Sequence, residues 1–192
     1  MKEKSLVQRI VGDWNTKTVV GVAIGAALFG VLMVYGGVKV FTNTNLTTAM
    51  LIPVVVGALF GPVPALVASF FGNVLADLIG GWGFWFDWSI GNGVLGFLVG
   101  LLPLYGANIS KGVFTVKHAI IFAVIAILGN ALAFGVVTPI FTYLFFGGEL
   151  TVTFLQSLTG GASNVLVLTV LGIPLLFALA KRNASSQNLT KE

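Results

Sequence analysis

Apolar residues dominate this chain in six long runs, separated by short segments that contain polar residues, glycine or proline. The runs cover residues 19–37, 47–60, 63–80, 88–105, 117–145 and 153–180. A helix needs about 20 residues to cross the hydrocarbon core of a bilayer, and most of the runs approach or exceed that length. The alternating pattern of membrane β-barrels is missing. The pattern therefore predicts an all-α integral membrane protein, a bundle of six transmembrane helices that forms one domain over residues 1–192.

Four of the six prolines bear on how these runs fold. The motif "GPVP" (61–64) separates the second run from the third and predicts a tight hinge set by Pro62 and Pro64. Pro139 and Pro174 lie inside the two longest runs. Since a proline removes a helical hydrogen bond and crowds the preceding turn, each is expected either to kink its helix or to mark its end.

The few charged residues predict the orientation of the bundle. Only 8% of the 192 residues are charged, against about 25% in a soluble domain. With the N-terminus inside, nine basic residues fall on inner segments: Lys2, Lys4, Arg9, Lys17, Lys111, Lys117, Lys181, Arg182 and Lys191. Lys39 alone falls outside. Because positive segments remain cytoplasmic, both termini are predicted to be cytoplasmic in a bacterial plasma membrane. This topology in the lipid bilayer accounts for the net charge of +4, and no nucleic-acid partner is needed.

Several kinds of chemistry are excluded by composition. The chain has no cysteine and a single histidine, His118, so disulfides, thiolate metal sites and histidine clusters are not expected. The phosphate-binding motif G-x-x-x-x-G-K-[ST] does not occur. No cofactor and no catalytic residue are predicted. Active transport would draw its energy from an ion gradient or from another subunit.

Small residues recur along the first run, in "GVAIGAALFG" (21–30). The pairs four residues apart are Gly21 with Gly25, Ala23 with Ala27, and Ala26 with Gly30. Small residues at this spacing let a second backbone approach the helix closely. The approaching helix belongs either to the same bundle or to another membrane subunit, and the spacing alone does not separate these alternatives.

Polar residues inside apolar runs are the next signal, because a polar side chain in hydrocarbon usually faces the bundle interior or a cavity. Asn73 and Asp77 lie four residues apart and share one helix face. Asn92, Asn130 and Asn164 lie in later runs. Asparagine both donates and accepts, which suits a hydrogen-bonding heterocycle. The alternatives are interhelical hydrogen bonds for the asparagines and a helix-end position at the outer interface for Asp77.

The segment "GGWGFWFDWSIGNG" (80–93) concentrates aromatic side chains between the third and fourth runs, on the predicted outer side. It is either an interfacial aromatic belt or a lid over a binding site. The glycines of the segment, and the clustering of aromatic side chains in this one loop, favour the lid. Trp85 and Trp88 are then expected to stack on the ligand, and Trp82 to act as an anchor. Asp87 is expected either to cap the following helix or to accept hydrogen bonds from a ligand.

The sequence resembles the substrate-binding S components of energy-coupling factor (ECF) vitamin transporters. The most similar group is riboflavin-transporter-like and includes hydroxymethylpyrimidine-linked S components. The matching stretches are "ALFGPVPALVASFFGNVLADLIGGWGFWFDWSIGNGVLGFLVGLLP" (58–103), "ILGNALAFGVVTPI" (127–140) and "GGASNVLVLTVLGIPLL" (160–176). Related sequences often carry histidine where Asn73 stands and a basic residue where Ala76 stands, so ligand identity is not transferred.

The resemblance implies a high-affinity vitamin pocket near the outer surface, closed by the loops after the first, third and fifth spans. It also implies docking onto a T component that carries two ATPase subunits, through Ala23, Ala27 and the nearby Gly30. Together with the intramembrane polar residues, it gives these candidate substrate-binding residues: Asn73, Asp77, Trp85, Asp87, Trp88, Asn92, Asn130 and Asn164.

We therefore expect a non-catalytic subunit that captures a vitamin or precursor, with a hydroxymethylpyrimidine-like or pyridoxine-like ligand favoured and riboflavin as the alternative. Two hypotheses of other classes remain. One is a stand-alone secondary carrier driven by protons through Asp77, although such carriers often show inverted repeats and none is evident here. The other is a membrane assembly subunit without a ligand, in which the asparagines only pack the bundle.

Overall fold

The computed structural model describes residues 5–41 and 44–189, with side chains to residue 186, so Lys2, Lys4 and Lys191 lie outside the described residues. The helices are α1 (Leu6–Val11), α2 (Thr16–Tyr35), α3 (Leu51–Phe60), α4 (Pro62–Gly80), α5 (Phe86–Val99), α6 (Val116–Leu132), α7 (Thr138–Phe146), α8 (Leu150–Val167) and α9 (Ile173–Leu189). Two strands, β1 (Gly37–Phe41) and β2 (Thr44–Thr47), form an antiparallel hairpin after α2.

Five helical stretches in the described part are long and apolar enough to cross a membrane. They are Thr16–Tyr35, Pro62–Gly80, Phe86–Tyr105, Val116–Phe146 and Leu150–Ser186, and each overlaps one predicted run. The second run instead contains a shorter apolar helical segment, Thr48–Phe60. The chain is therefore a mostly helical, multi-spanning membrane protein, as the apolar pattern predicts.

The two interior prolines are accommodated by single π-helical turns. Residues 133–137 precede Pro139, and residues 168–172 precede Pro174. In both turns a backbone N–H bonds to a carbonyl five residues earlier, Thr138 to Ala133 and Ile173 to Leu168. Widening the turn relieves the clash of the proline ring with the previous turn. The apolar stretches 116–146 and 150–186 therefore continue through their prolines as single helical segments.

The "GPVP" hinge forms as predicted. Gly61 has a φ of 102°, a conformation that favours glycine, and Pro62 begins α4, where its missing N–H costs no hydrogen bond. The hinge lets α3 and α4 fold tightly against each other and against the end of α5. A Cβ at Gly57 would lie 2.5 Å from Gly100 Cα, and one at Gly100 would lie 2.9 Å from Pro62 Cα.

This close approach predicts a stability effect. Gly57→Ala is expected to lower the free energy of unfolding by about 1–3 kcal/mol, because the added methyl meets backbone, which cannot rotate away. The measurement is thermal unfolding of the detergent-purified protein. Gly135→Ala is the matched control, since a Cβ there meets nothing within 4 Å. Equal unfolding temperatures for the two variants would contradict the packing.

The two faces of α2 separate the small residues of the first run. Gly25 packs against Val56 and Ala68, and Gly30 packs against Leu75 and Ala76 of α4. Both glycines are buried, whereas Ala23 and Ala27 are exposed. Because Gly30 packs against α4 of the same chain, it is not available to a partner subunit. It is therefore removed from the candidate docking residues.

The basic residues cluster at one end of the bundle. This end combines α1, the start of α2, the turn between α3 and α4, the segment after α5, the start of α6, and α9. The side-chain amide of Asn183 donates to the Ile109 carbonyl at 2.9 Å and joins two of these elements. The basic residues there are Arg9, Lys17, Lys111, Lys117, Lys181 and Arg182. Lys39 lies at the opposite end, on the hairpin.

Candidate functional site

A cavity of about 320 Å³ opens at the end of the bundle that carries the hairpin. Its wall combines side chains from α2, the hairpin, α4, α5, the π-helical turn before α7, α7 and α8. The carboxamides in the wall are Asn45, Asn73, Asn92, Gln156 and Asn164, and the aromatic residues are Trp82, Trp85, Trp88 and Phe134. Lys39 and Asp77 are the charged residues among the described lining residues. Pockets with a mostly apolar wall and a few placed polar groups are typical ligand sites.

The aromatic segment forms one rim of this cavity. Helix α4 ends at Gly80, and Gly81 and Gly83 have φ angles of 65° and 89°, which let the chain turn sharply. The Trp85 indole N–H donates to the Trp82 carbonyl at 2.8 Å. The Trp85 ring also lies 4.8 Å from the ring of Phe146, near the end of α7. The segment therefore folds over the cavity mouth toward α7.

Asp77 ties this rim to α4. Its Oδ2 accepts a hydrogen bond from the Trp85 backbone N–H at 2.9 Å, and its carbonyl accepts from the Trp82 N–H at 3.0 Å. The Asp77 side chain is buried and lines the cavity. Asp77 thus lies inside the fold, not at an exposed helix end, and it positions the aromatic segment as well as facing the site.

Asn73 and Asn92 meet beneath the tryptophans. The Asn92 amide donates to Asn73 Oδ1 at 3.0 Å, and the Asn73 amide donates to Ser89 Oγ at 3.1 Å. All three side chains are buried between α4 and α5. Ser89 is a polar partner that the sequence pattern did not single out, because it lies within the aromatic segment. The spacing of Asn73 and Asp77 correctly predicted that they share a helix face.

Trp88 of α5 and Asn164 of α8 both line the cavity. The Trp88 ring is 5.7 Å from the Phe134 ring, and a Cβ at Gly160 of α8 would be 3.6 Å from it. Asn164 is buried on α8 and lines the cavity. The site thus combines a flat ring with a buried amide.

Two candidate residues lie outside the lining formed by the described residues. Asp87 is fully buried in the first turn of α5 and accepts a hydrogen bond from Thr142 of α7. The N-cap of α5 is Trp85, so the predicted capping role of Asp87 is corrected to a bridge between α5 and α7. The Asn130 amide donates to the Ala126 carbonyl at 2.8 Å within α6. Neither residue is among the described residues that line the cavity.

The hairpin supplies lining residues that the apolar pattern missed: Lys39, Thr44, Asn45 and Thr47. The Thr47 hydroxyl donates to the Leu32 carbonyl at 2.7 Å and holds the hairpin against α2. Lys39, Thr44 and Asn45 lie between two predicted runs, and Thr47 is the first residue of the second run. Gln156 was also missed, although a polar residue inside the run 153–180 was an available signal.

The fold and the site define a multi-spanning membrane protein with a ligand-sized cavity at one end of its helical bundle. The family model for the ECF-type riboflavin transporter S component matches residues 13–181. A UPF0397 protein of Vibrio atlanticus (strain LGP32) is 37% identical over 182 residues, which cover 93% of this chain and 99% of the relative. UPF0397 proteins of Aliivibrio fischeri (strain MJ11) and Vibrio vulnificus (strain YJ016) are each 37% identical over 180 residues, which cover 92% of this chain. The matches cover 97% of the first relative and 98% of the second.

The chain belongs to the ECF-type riboflavin transporter S component family, which confirms the resemblance drawn from its motifs. S components are membrane-embedded, substrate-binding subunits of vitamin uptake systems, and they work with transmembrane coupling and ATPase modules.

Proposed function

We propose that this protein is the high-affinity substrate-binding subunit of an ECF-type importer and that it captures a vitamin or precursor in the cavity beneath the aromatic segment. The observation that carries the proposal is the composition of the cavity wall. Five carboxamides and four aromatic rings surround a space of about 320 Å³. Stacking rings and amide groups together suit a planar, hydrogen-bonding heterocycle.

A single-ring ligand of the hydroxymethylpyrimidine or pyridoxine type is the favoured occupant. The cavity volume lies near the lower end of ligand pockets, which span about 300–1,000 Å³. The residues assigned to binding are Asn73, Asp77, Trp85, Trp88, Asn92 and Asn164. Riboflavin is the second candidate, because the matching family model carries the description of a riboflavin transporter component.

We place the cavity at the outer face and both termini in the cytoplasm of a bacterial plasma membrane. The clustering of basic residues at the opposite end supports this orientation. Six crossings, by α2, α3, α4, α5, α6–α7 and α8–α9, return the chain to its starting side. Helix α3 is about 15 Å long at 1.5 Å per residue, so its crossing is completed by the segment before it. Residues 1–192 form one membrane domain in this arrangement.

Delivery to the cell interior requires partners. We propose that the exposed Ala23 and Ala27 face of α2 docks onto a T component that carries two ATPase subunits. This assignment rests on the small-residue spacing, on the exposure of the two side chains and on the partners with which the family works.

The test is purification of the protein alone, followed by native mass spectrometry of any small molecule that co-purifies. A tightly bound vitamin or precursor, retained without ATPase subunits, is the expected result. The alternative is tested with proteoliposomes that contain only this chain. Uptake that depends on the proton gradient would support the hypothesis of a secondary carrier driven by protons through Asp77. If the protein binds no small molecule, the remaining hypothesis is a membrane assembly subunit without a ligand, in which the asparagines only pack the bundle.

A further inference from the structure

A chain of hydrogen bonds lies beneath the tryptophans and ends on a side chain of the cavity wall. We call Asn73, Ser89 and Asn92 the amide relay. Asn92 Nδ2 donates to Asn73 Oδ1, and Asn73 Nδ2 donates to Ser89 Oγ. The Ser89 hydroxyl in turn lies 3.4 Å from the Trp85 carbonyl. The orientation of each amide therefore depends on its neighbour.

A backbone carbonyl fixes the direction of the amide relay. Asn92 Nδ2 also donates to the Trp88 carbonyl at 3.0 Å, and a carbonyl oxygen only accepts hydrogen bonds. The nitrogen of Asn92 must face that carbonyl, so the assignment of its oxygen and nitrogen is set by chemistry. The atom of Asn73 that meets this nitrogen must then be oxygen, which turns the Asn73 nitrogen toward Ser89.

The relay consequently leaves one acceptor unused. Both N–H groups of Asn92 are engaged, while its Oδ1 is buried and has no hydrogen-bond partner among the described residues. Asn92 is only 3% exposed and lines the cavity. A buried amide oxygen without a donor is unfavourable. A ligand that supplies the donor removes that cost.

We propose, on the basis of the proposed function, that Asn92 is a specificity-determining residue that accepts a hydrogen bond from a ring or exocyclic N–H of the ligand. The ligand class is then a planar heterocycle with an N–H donor on its buried edge. The nearby Asp77 carboxylate is a second acceptor on the same wall. Asn73 and Ser89 are positioning residues that hold the amide of Asn92 in the accepting orientation.

The test compares ligands that differ only in this donor. The probes are hydroxymethylpyrimidine and its N,N-dimethylamino derivative, and riboflavin and its N3-methyl derivative; if neither scaffold binds, the co-purified molecule and its N-methylated form are used. Binding to the full-length detergent-purified chain is followed by tryptophan fluorescence. The methylated member of the pair that binds is expected to bind at least about tenfold more weakly, because it leaves Asn92 Oδ1 unpaired.

Asn92→Leu separates hydrogen bonding from shape, because leucine keeps the four branched side-chain heavy atoms of asparagine without the acceptor. The tenfold difference is expected to fall to about twofold or less in this variant, whereas a purely steric effect of the methyl group would persist. If the tenfold difference persists in Asn92→Leu, the inference is overturned. Equal binding of a ligand and its methylated form by the unaltered protein also overturns it. Both of these results leave the proposed function intact. Failure to bind any small molecule overturns both.

Two variants of Asn73 test whether this residue holds the amide of Asn92 in its accepting orientation. Aspartate accepts from Asn92 Nδ2 through one oxygen and from the Ser89 hydroxyl through the other, so Asn73→Asp is expected to keep most of the tenfold discrimination. Asn73→Leu has no acceptor and is expected to lose it. A role in packing alone would weaken both probes equally in both variants and leave the ratio unchanged, which would overturn the assignment of Asn73.

Discussion

Trp88→Ala is expected to weaken ligand binding by about 100-fold, equivalent to about 2.7 kcal/mol. Removing an aromatic ring that stacks on a planar base costs about 1–3 kcal/mol, and Trp88 is half-buried in the cavity wall. Phe134 contacts its ring at a centroid distance of 5.7 Å, and Gly160 of α8 lies against it. This support holds the indole in place before the ligand arrives, so little ordering is needed on binding.

The measurement is the dissociation constant of the co-purified ligand by isothermal titration calorimetry. Trp88→Phe keeps a stacking ring and is expected to lose less than about tenfold. Trp14→Ala is the matched control, since Trp14 lies next to α1 at the basic end, where its indole donates to the Val11 carbonyl. Unchanged affinity in Trp88→Ala would show that Trp88 is an interfacial anchor and not part of the site.

The amino-acid pattern predicted the class of the protein and much of the site, because both depend on local signals. Long apolar runs mark helices in a bilayer, and a polar residue within such a run marks a cavity or an interhelical contact. Asn73, Asp77, Asn92 and Asn164 carried that signal, and all four line the cavity. Asn130 carried the same signal, but its amide donates within its own helix, which is neither of these roles.

Features without a periodic signature in the sequence were not predicted. The hairpin forms because β1 pairs with β2 and Thr47 bonds to α2, and neither contact leaves a periodic trace. Asp87 was assigned from its place at a helix start, whereas its partner Thr142 lies 55 residues away. Pro139 and Pro174 were expected to kink or end their helices; a π-helical turn precedes each proline, and both helical segments continue beyond it.

The largest effect on assembly is expected from Ala27→Trp, which should abolish co-purification with the T component and ATPases while leaving ligand affinity within about twofold. Small residues four apart allow two helix backbones to approach closely, and an indole on that face holds them apart. Ala27 is exposed, and the glycines of α2 that pack against α3 and α4 lie on its other face. The added ring therefore projects away from the bundle, and the cavity is undisturbed.

Ala131→Trp provides the matched control, since Ala131 is also an exposed alanine but lies on α6. It is expected to assemble normally, which would show that an indole on the bundle surface is tolerated in itself. Ala23→Trp, one turn from Ala27 on the same face, should reproduce the loss. Pull-down from co-expressing membranes measures assembly, and calorimetry measures ligand binding. If the Ala27→Trp variant assembled normally but lost its ligand, this face of α2 would serve the binding site, and the docking surface would lie elsewhere.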